Sequence, residues 1–256
     1  MNNPELYNLT NVEEGEVIKR PSKFIKSPYV ADIIINDCNY LGHTPSLGCC
    51  GLANAGSKVI LTKLGDKTKC DYRIELAKLD TGIIVGIAPK LAEKIVYNAL
   101  LQNLIQHLSV KKIKSEIKIG NSRFDFIGKT EKNEDFILEV KSVPLARNGI
   151  AYFPDGYRKN KKQTVSERAL KHITELNGIK DKYPEIRCVL LFVIQRNDVK
   201  EFQIFKQDPI YHEAVKNAWL AGVEIKTLQV QWDCNGTCKY IKNNTPIVLY
   251  DNCNIL

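Results

Sequence analysis

No apolar run in these 256 residues approaches the roughly 18 residues that cross a bilayer as a helix. Residues 1–15 are polar and acidic. They lack the apolar core of a signal peptide. No repeat or low-complexity segment is evident. A zinc centre is also missing from the pattern, because Cys234-x3-Cys238 with Cys253 has no fourth ligand at a suitable spacing. The absences argue against a helical membrane protein. They lead us to expect an intracellular chain, cytoplasmic or nuclear, with no membrane partner and with its eight cysteines as thiols.

What is present is ordinary globular material. Hydrophobic residues make up 44% and charged residues 26%, enough for one large domain or two smaller ones. The net charge of +8 suits a polyanionic partner without specifying one.

Short apolar segments broken by Pro21, Pro28 and the Asn36–Asn39 turn run from Val17 to Ile87. They predict about five close strands and hence a small OB-like β-barrel over residues 16–88, preceded by a loose arm over 1–15. Pro89 opens a helix with apolar residues at helical spacing, and a second domain over 89–256 is expected to start there. Its predicted order is helix, three strands, helix, strand, helix, strand. This is an α/β (α+β) layer on a mixed sheet. Thr164-Val165-Ser166-Glu167 fits a capping box, Gly178 is a stop signal for that helix, and Asp208-Pro209 opens the last one.

The strands Arg123–Ile127 and Phe136–Val143 carry the chemistry. Period-two alternation puts Glu139 and Lys141 on the same face of an otherwise apolar strand. In a hairpin, Asp125 would face Glu139 across the ladder. Charge is costly on such a surface unless it is paired or binds a metal. Two carboxylates suit Mg²⁺ or Mn²⁺, and a lysine beside them can orient water or stabilise charge on a phosphate. Asp followed by Glu-x-Lys on the next strand is the PD-(D/E)xK nuclease pattern. Further on, Arg158, Lys159, Lys161 and Lys162 make a basic stretch suited to phosphates, while Arg168 and His172 are one helical turn apart.

Several motifs together resemble the sugar fermentation stimulation protein A (SfsA) family. They are Lys114-Ser115-Glu116, Ser122-Arg123-Phe124-Asp125-Phe126, Glu139-Val140-Lys141-Ser142-Val143, Phe153-Pro154-Asp155, Glu167-Arg168, Lys171-His172 and Gly222-Val223-Glu224. The resemblance implies an OB-like first part, a PD-(D/E)xK-like second part, DNA binding and a proposed nuclease activity. It implies Asp125 and Glu139 as metal ligands, Lys141 as catalytic lysine and Glu116 as an acid holding a metal-bound water. Arg123, Arg168, Lys171 and His172 join the basic stretch as nucleic-acid contacts. The expected partner is DNA or RNA. A homodimer and, as the rival function, a non-catalytic DNA-binding regulator are also carried as expectations. Two departures stand out. Residues 156–165 carry an apparent insertion rich in lysine and arginine, and His43-Thr44-Pro45 replaces the family's Asn-Thr-Gly.

Overall fold

The computed structural model describes residues 3–65, 68–120, 122–156, 160, 162–250 and 253–255. The first strands are β1 (Glu5–Asn8), β2 (Val12–Lys19), β3 (Val30–Ile35), β4 (Cys38–His43), β5 (Lys58–Lys63), β6 (Tyr72–Lys78) and β7 (Ile84–Gly86). Helix α1 (Pro89–Leu101) follows, then β8 (Val110–Ile119), β9 (Ser122–Thr130), β10 (Asp135–Val143), β11 (Ala146–Arg147) and β12 (Ile150–Phe153). The remainder is α2 (Glu167–Lys182), β13 (Arg187–Ile194), β14 (Glu201–Ile204), α3 (Pro209–Leu220), β15 (Glu224–Trp232), β16 (Thr237–Lys242), β17 (Ile247–Tyr250) and β18 (Cys253–Ile255). Among the described residues, no helix is long and apolar enough to cross a membrane. Cys38, Cys49, Cys50, Cys70, Cys188, Cys234 and Cys238 are free thiols.

The chain divides into two compact units. The first runs to Ile95 and takes in Gln195–Asp198 and Gln229–Ile241, which a linear division of the sequence does not foresee. Its centre is a closed barrel of five strands. β2 pairs with β3 and β5, β3 with β4, and β5 with β6, all antiparallel. A parallel pairing of β4 with β6, Gly42 opposite Tyr72, closes the ring. Alternation explains the interior. Ala31, Ile33 and Ile35 from β3 and Val59 and Leu61 from β5 point inward with Val17 and Ile74. The loose arm expected over residues 1–15 is instead largely strand. β1 pairs with β16, and Leu6, at 2% exposure, is a buried side chain that anchors it.

In the second unit, β13, β10, β9 and β8 are hydrogen-bonded neighbours in that order. β10 and β13 run parallel, and β9 runs antiparallel to both β10 and β8. Every residue of β13 from Cys188 to Ile194 is fully buried, which explains its unbroken apolar run. One face of the sheet packs against α2 and α3 through Ile137, Val143, Leu190 and Phe192 on one side and Ala169, Ile173, Leu176 and Val215 on the other. On the opposite face, Phe126 stacks on Tyr97 with ring centroids 6.4 Å apart. A smaller sheet has the order β11, β12, β14, β17, β18.

The helix ends follow local rules, with two shifts from expectation. Ser166 caps α2, its hydroxyl accepting from the Ala169 N–H at 3.2 Å. The helix runs through Gly178 to Lys182 and stops where Tyr183 precedes Pro184. Thr164 serves elsewhere. Its hydroxyl donates to Asp208 Oδ2 at 2.5 Å, and the Val165 N–H donates to the same oxygen at 2.7 Å. Asp208 also caps α3, accepting from Tyr211 N at 3.2 Å. One fully buried carboxylate thus holds the start of α3 and the approach to α2.

Candidate metal and phosphate site

The site lies at the α2-facing side of β9 and β10. Glu139 and Lys141 share this face, as alternation requires, and are 2% and 9% exposed. The Lys141 ammonium donates to Glu139 Oε1. His172 approaches the same oxygen through Nδ1. A carboxylate only accepts, so Nδ1 carries the proton in this contact. Both donors use Oε1. Glu139 Oε2 is buried and has no hydrogen-bond partner among the described residues.

Burial by itself would raise the Glu139 pKa. The hydrogen bond from His172, the charge of Lys141 and the charge of His172 outweigh it, so the carboxyl is held below its ordinary 4.5. Tyr211 of α3 lies within the field of this carboxylate. Burial first, then the Glu139 and Asp208 charges, push its phenol well above the usual tyrosine range. Its hydroxyl also has no hydrogen-bond partner among the described residues.

Asp125 reaches the site by a different route from the one expected. The β9–β10 ladder runs from Asp135 opposite Lys129 to Leu138 opposite Phe126 and then stops. Beyond that point Asp125 Oδ2 accepts the Val140 N–H at 2.7 Å, taking the place of a ladder carbonyl. A backbone donor of β10 is thereby satisfied by a carboxylate, which keeps Asp125 beside β10.

Other expected site residues are placed elsewhere. Glu116 has a left-handed backbone (φ 54°) at the edge strand β8, and its carboxylate meets Arg123 Nη1 at 3.1 Å. Both side chains are more than half exposed, where ion pairing needs little desolvation. Among the described residues no group of three His, Cys, Asp or Glu is arranged to hold a metal, so Glu116 does not complete a set with Asp125 and Glu139. Arg168 and Lys171 are exposed on α2, with Lys171 Nζ 3.9 Å from Glu175. Lys162 is exposed and its backbone N–H donates to Asn160 Oδ1. Arg158, Lys159 and Lys161 lie outside the described residues.

His172 is the main displacement. The expectation places it with Arg168 among the nucleic-acid contacts, whereas it is 5% exposed and lies against Glu139. The signal was present in the spacing, because Ala169, His172, Ile173 and Leu176 form one inward stripe. Tyr211 sits just inside the start of α3, and sequence gave no reason to separate it from other core aromatics.

The match to known proteins is extensive. The family model "Sugar fermentation stimulation protein RE domain" matches residues 90–236. A sugar fermentation stimulation protein homolog from Clostridium botulinum (strain Langeland / NCTC 10281 / Type F) is 33% identical over 240 residues, 93% of this chain and 96% of its own. The homolog from Desulforamulus reducens is 34% identical over 224 residues, 86% of each chain. The solved structure of Pyrococcus furiosus SfsA in complex with Ca²⁺ superposes with a TM-score of 0.79 at 23% identity, covering 94% of this chain and 97% of that one. That superposition establishes the common mixed α+β fold. The motifs, the family match and the shared architecture agree, and the chain belongs to the sugar fermentation stimulation protein family.

Proposed function

We propose that the protein is a divalent-metal-dependent nuclease that hydrolyses phosphodiester bonds in DNA, with RNA as the second candidate substrate. The observation carrying this is the buried Glu139 carboxylate, with one oxygen fixed by Lys141 and His172 and the other left without a protein donor. Glu139 Oε2 and the Asp125 carboxylate are hard oxygen donors on adjacent strands, so they fit Mg²⁺ or Mn²⁺. The Ca²⁺ in the Pyrococcus furiosus protein is of the same ligand class. When bound, such an ion would polarise the phosphate and make a nearby water more acidic.

The protein's own groups have distinct roles in this proposal. Lys141 Nζ holds Glu139 in its rotamer and offers its remaining protons to the phosphate oxygens as charge builds there. Hydrolysis forms a bond from water oxygen to phosphorus on the side opposite the leaving sugar oxygen. That ester bond breaks, and the departing oxygen takes up a proton. Arg168, Lys171 and Lys162 are exposed and would grip the flanking phosphates, and we assign Arg158, Lys159 and Lys161 the same task. The barrel is taken as an OB-like module.

Labelled single- and double-stranded DNA incubated with the protein and Mg²⁺ or Mn²⁺ tests the proposal. Cleavage is expected with metal, none with EDTA, and a loss of at least about a hundredfold in Glu139→Gln and Lys141→Ala. Cleavage that survives both substitutions refutes the assignment. The lack, among the described residues, of three grouped metal-ligating side chains favours one rival, a DNA-binding regulator without turnover. That rival predicts salt-sensitive binding that persists in EDTA and no product with any metal.

A further inference from the structure

A second basic and aromatic surface lies on the barrel, within the first unit. The loop between β2 and β3 contains Arg20, Lys23 and Lys26 beside Lys19 at the end of β2, with no acidic residue from Lys19 to Tyr29. Its two aromatic side chains point outward. Phe24 is 71% exposed and Tyr29 is 43% exposed, and Leu47 on the neighbouring loop is 62% exposed. Lys23 Nζ is 4.9 Å from the Phe24 ring centroid, so cation and ring form one surface.

This exposure is built into the loop. Asp32, a buried carboxylate on β3, accepts from the Ser22 hydroxyl at 2.5 Å and from the Lys23 N–H at 3.0 Å. The Ser22 oxygen in turn accepts from the N–H of Phe24 at 3.1 Å and of Ile25 at 3.3 Å. Arg20 braces the other side, donating to Pro28 O at 2.9 Å and Ser46 O at 2.7 Å. The Thr44 N–H donates to Tyr29 O at 2.9 Å. The backbone beneath both rings is therefore pinned. Outward-facing rings held in this way among lysines match a base-stacking platform bordered by phosphate contacts.

We infer that the loop from Lys19 to Tyr29 binds single-stranded nucleic acid, with Phe24 and Tyr29 stacking on unpaired bases and Lys23 and Lys26 contacting phosphates. The ring-and-lysine alternation favours this occupant over a purely apolar partner, and the neutral backbone carbonyls satisfied by Arg20 leave the surface net positive. The proposed partner class is shared with the nuclease reading, but the site and its test are independent of cleavage.

Binding is measured by fluorescence anisotropy in EDTA with a labelled oligothymidylate of about twelve nucleotides, against a duplex of the same length. Phe24→Ala and Tyr29→Ala are each expected to weaken single-strand binding roughly tenfold, and Phe24→Trp to retain it. Lys23→Ala with Lys26→Ala should flatten the dependence of log affinity on log salt by about 1.4. These side chains are exposed, so unchanged circular dichroism is expected and separates binding from folding. Unaltered affinity in both ring variants overturns the inference. Equal loss on the duplex overturns the assignment to unpaired bases. Concentration-dependent dimers abolished by Phe24→Ala, with oligonucleotide affinity intact, would give the surface to a second copy instead.

Discussion

His172 Nδ1 and Glu139 Oε1 meet inside the protein across 33 residues of sequence, joining α2 to β10 at the centre of the candidate site. A hydrogen bond to a charged, buried group contributes about 1.5–3 kcal/mol. His172→Leu should therefore lower unfolding free energy by about 2 kcal/mol, measured by urea denaturation, and His172→Gln by less. Equal stability in His172→Leu and the parent would mean that the contact does not support the fold.

The pH dependence follows from the same carboxylate. Its folded pKa is depressed below 4.5, so the unfolded state binds the proton more readily. The stabilisation is then complete above the unfolded pKa and lost as pH falls through the folded value. Unfolding midpoints measured from pH 6 down to about pH 3 should fall for the parent and fall less steeply for Glu139→Gln. Parallel curves would assign the acid limb to other carboxylates.

Asp125 separates structure from metal binding. Asn at this position keeps an oxygen for the Val140 N–H but loses the charge, whereas Ala loses both. Asp125→Asn should keep its stability within about 1 kcal/mol of the parent while Mn²⁺ affinity by calorimetry falls at least about tenfold. Asp125→Ala should lose both. Parental Mn²⁺ binding in Asp125→Asn would remove this residue from the ligand set.

Gly128 tests the tight β8–β9–β10 packing. A Cβ there would lie 1.9 Å from the Lys112 carbonyl oxygen and 2.8 Å from Phe136. The first of these is backbone and cannot rotate away. Gly128→Ala should destabilise by about 3 kcal/mol or more, seen as a lower melting temperature or loss of soluble protein. Tolerance would show that β8 can shift at its ladder.

Much of this architecture was legible in the sequence because it rests on local rules. Proline and turn residues separate the barrel strands, β13 reads as a fully buried run, and Asp208-Pro209 announces α3. The shared face of Glu139 and Lys141 follows from alternation alone. The rest depends on contacts between distant segments. β1 became a strand because β16 offers it an edge. Gly178 did not end α2 because the helix continues until Tyr183 meets Pro184. His172 looked polar by residue type, although its spacing from Ala169 and Leu176 placed it inside. Nothing local could show that Glu116 would turn left-handed and pair with Arg123.

Asp208 has a consequence for how this chain tolerates change. It ties down Thr164 and Val165, the last residues of the lysine-rich insertion, and fixes the first turn of α3 at the same time. A change of length before Thr164 is therefore expected to leave the helix delivering its imidazole to the same carboxylate.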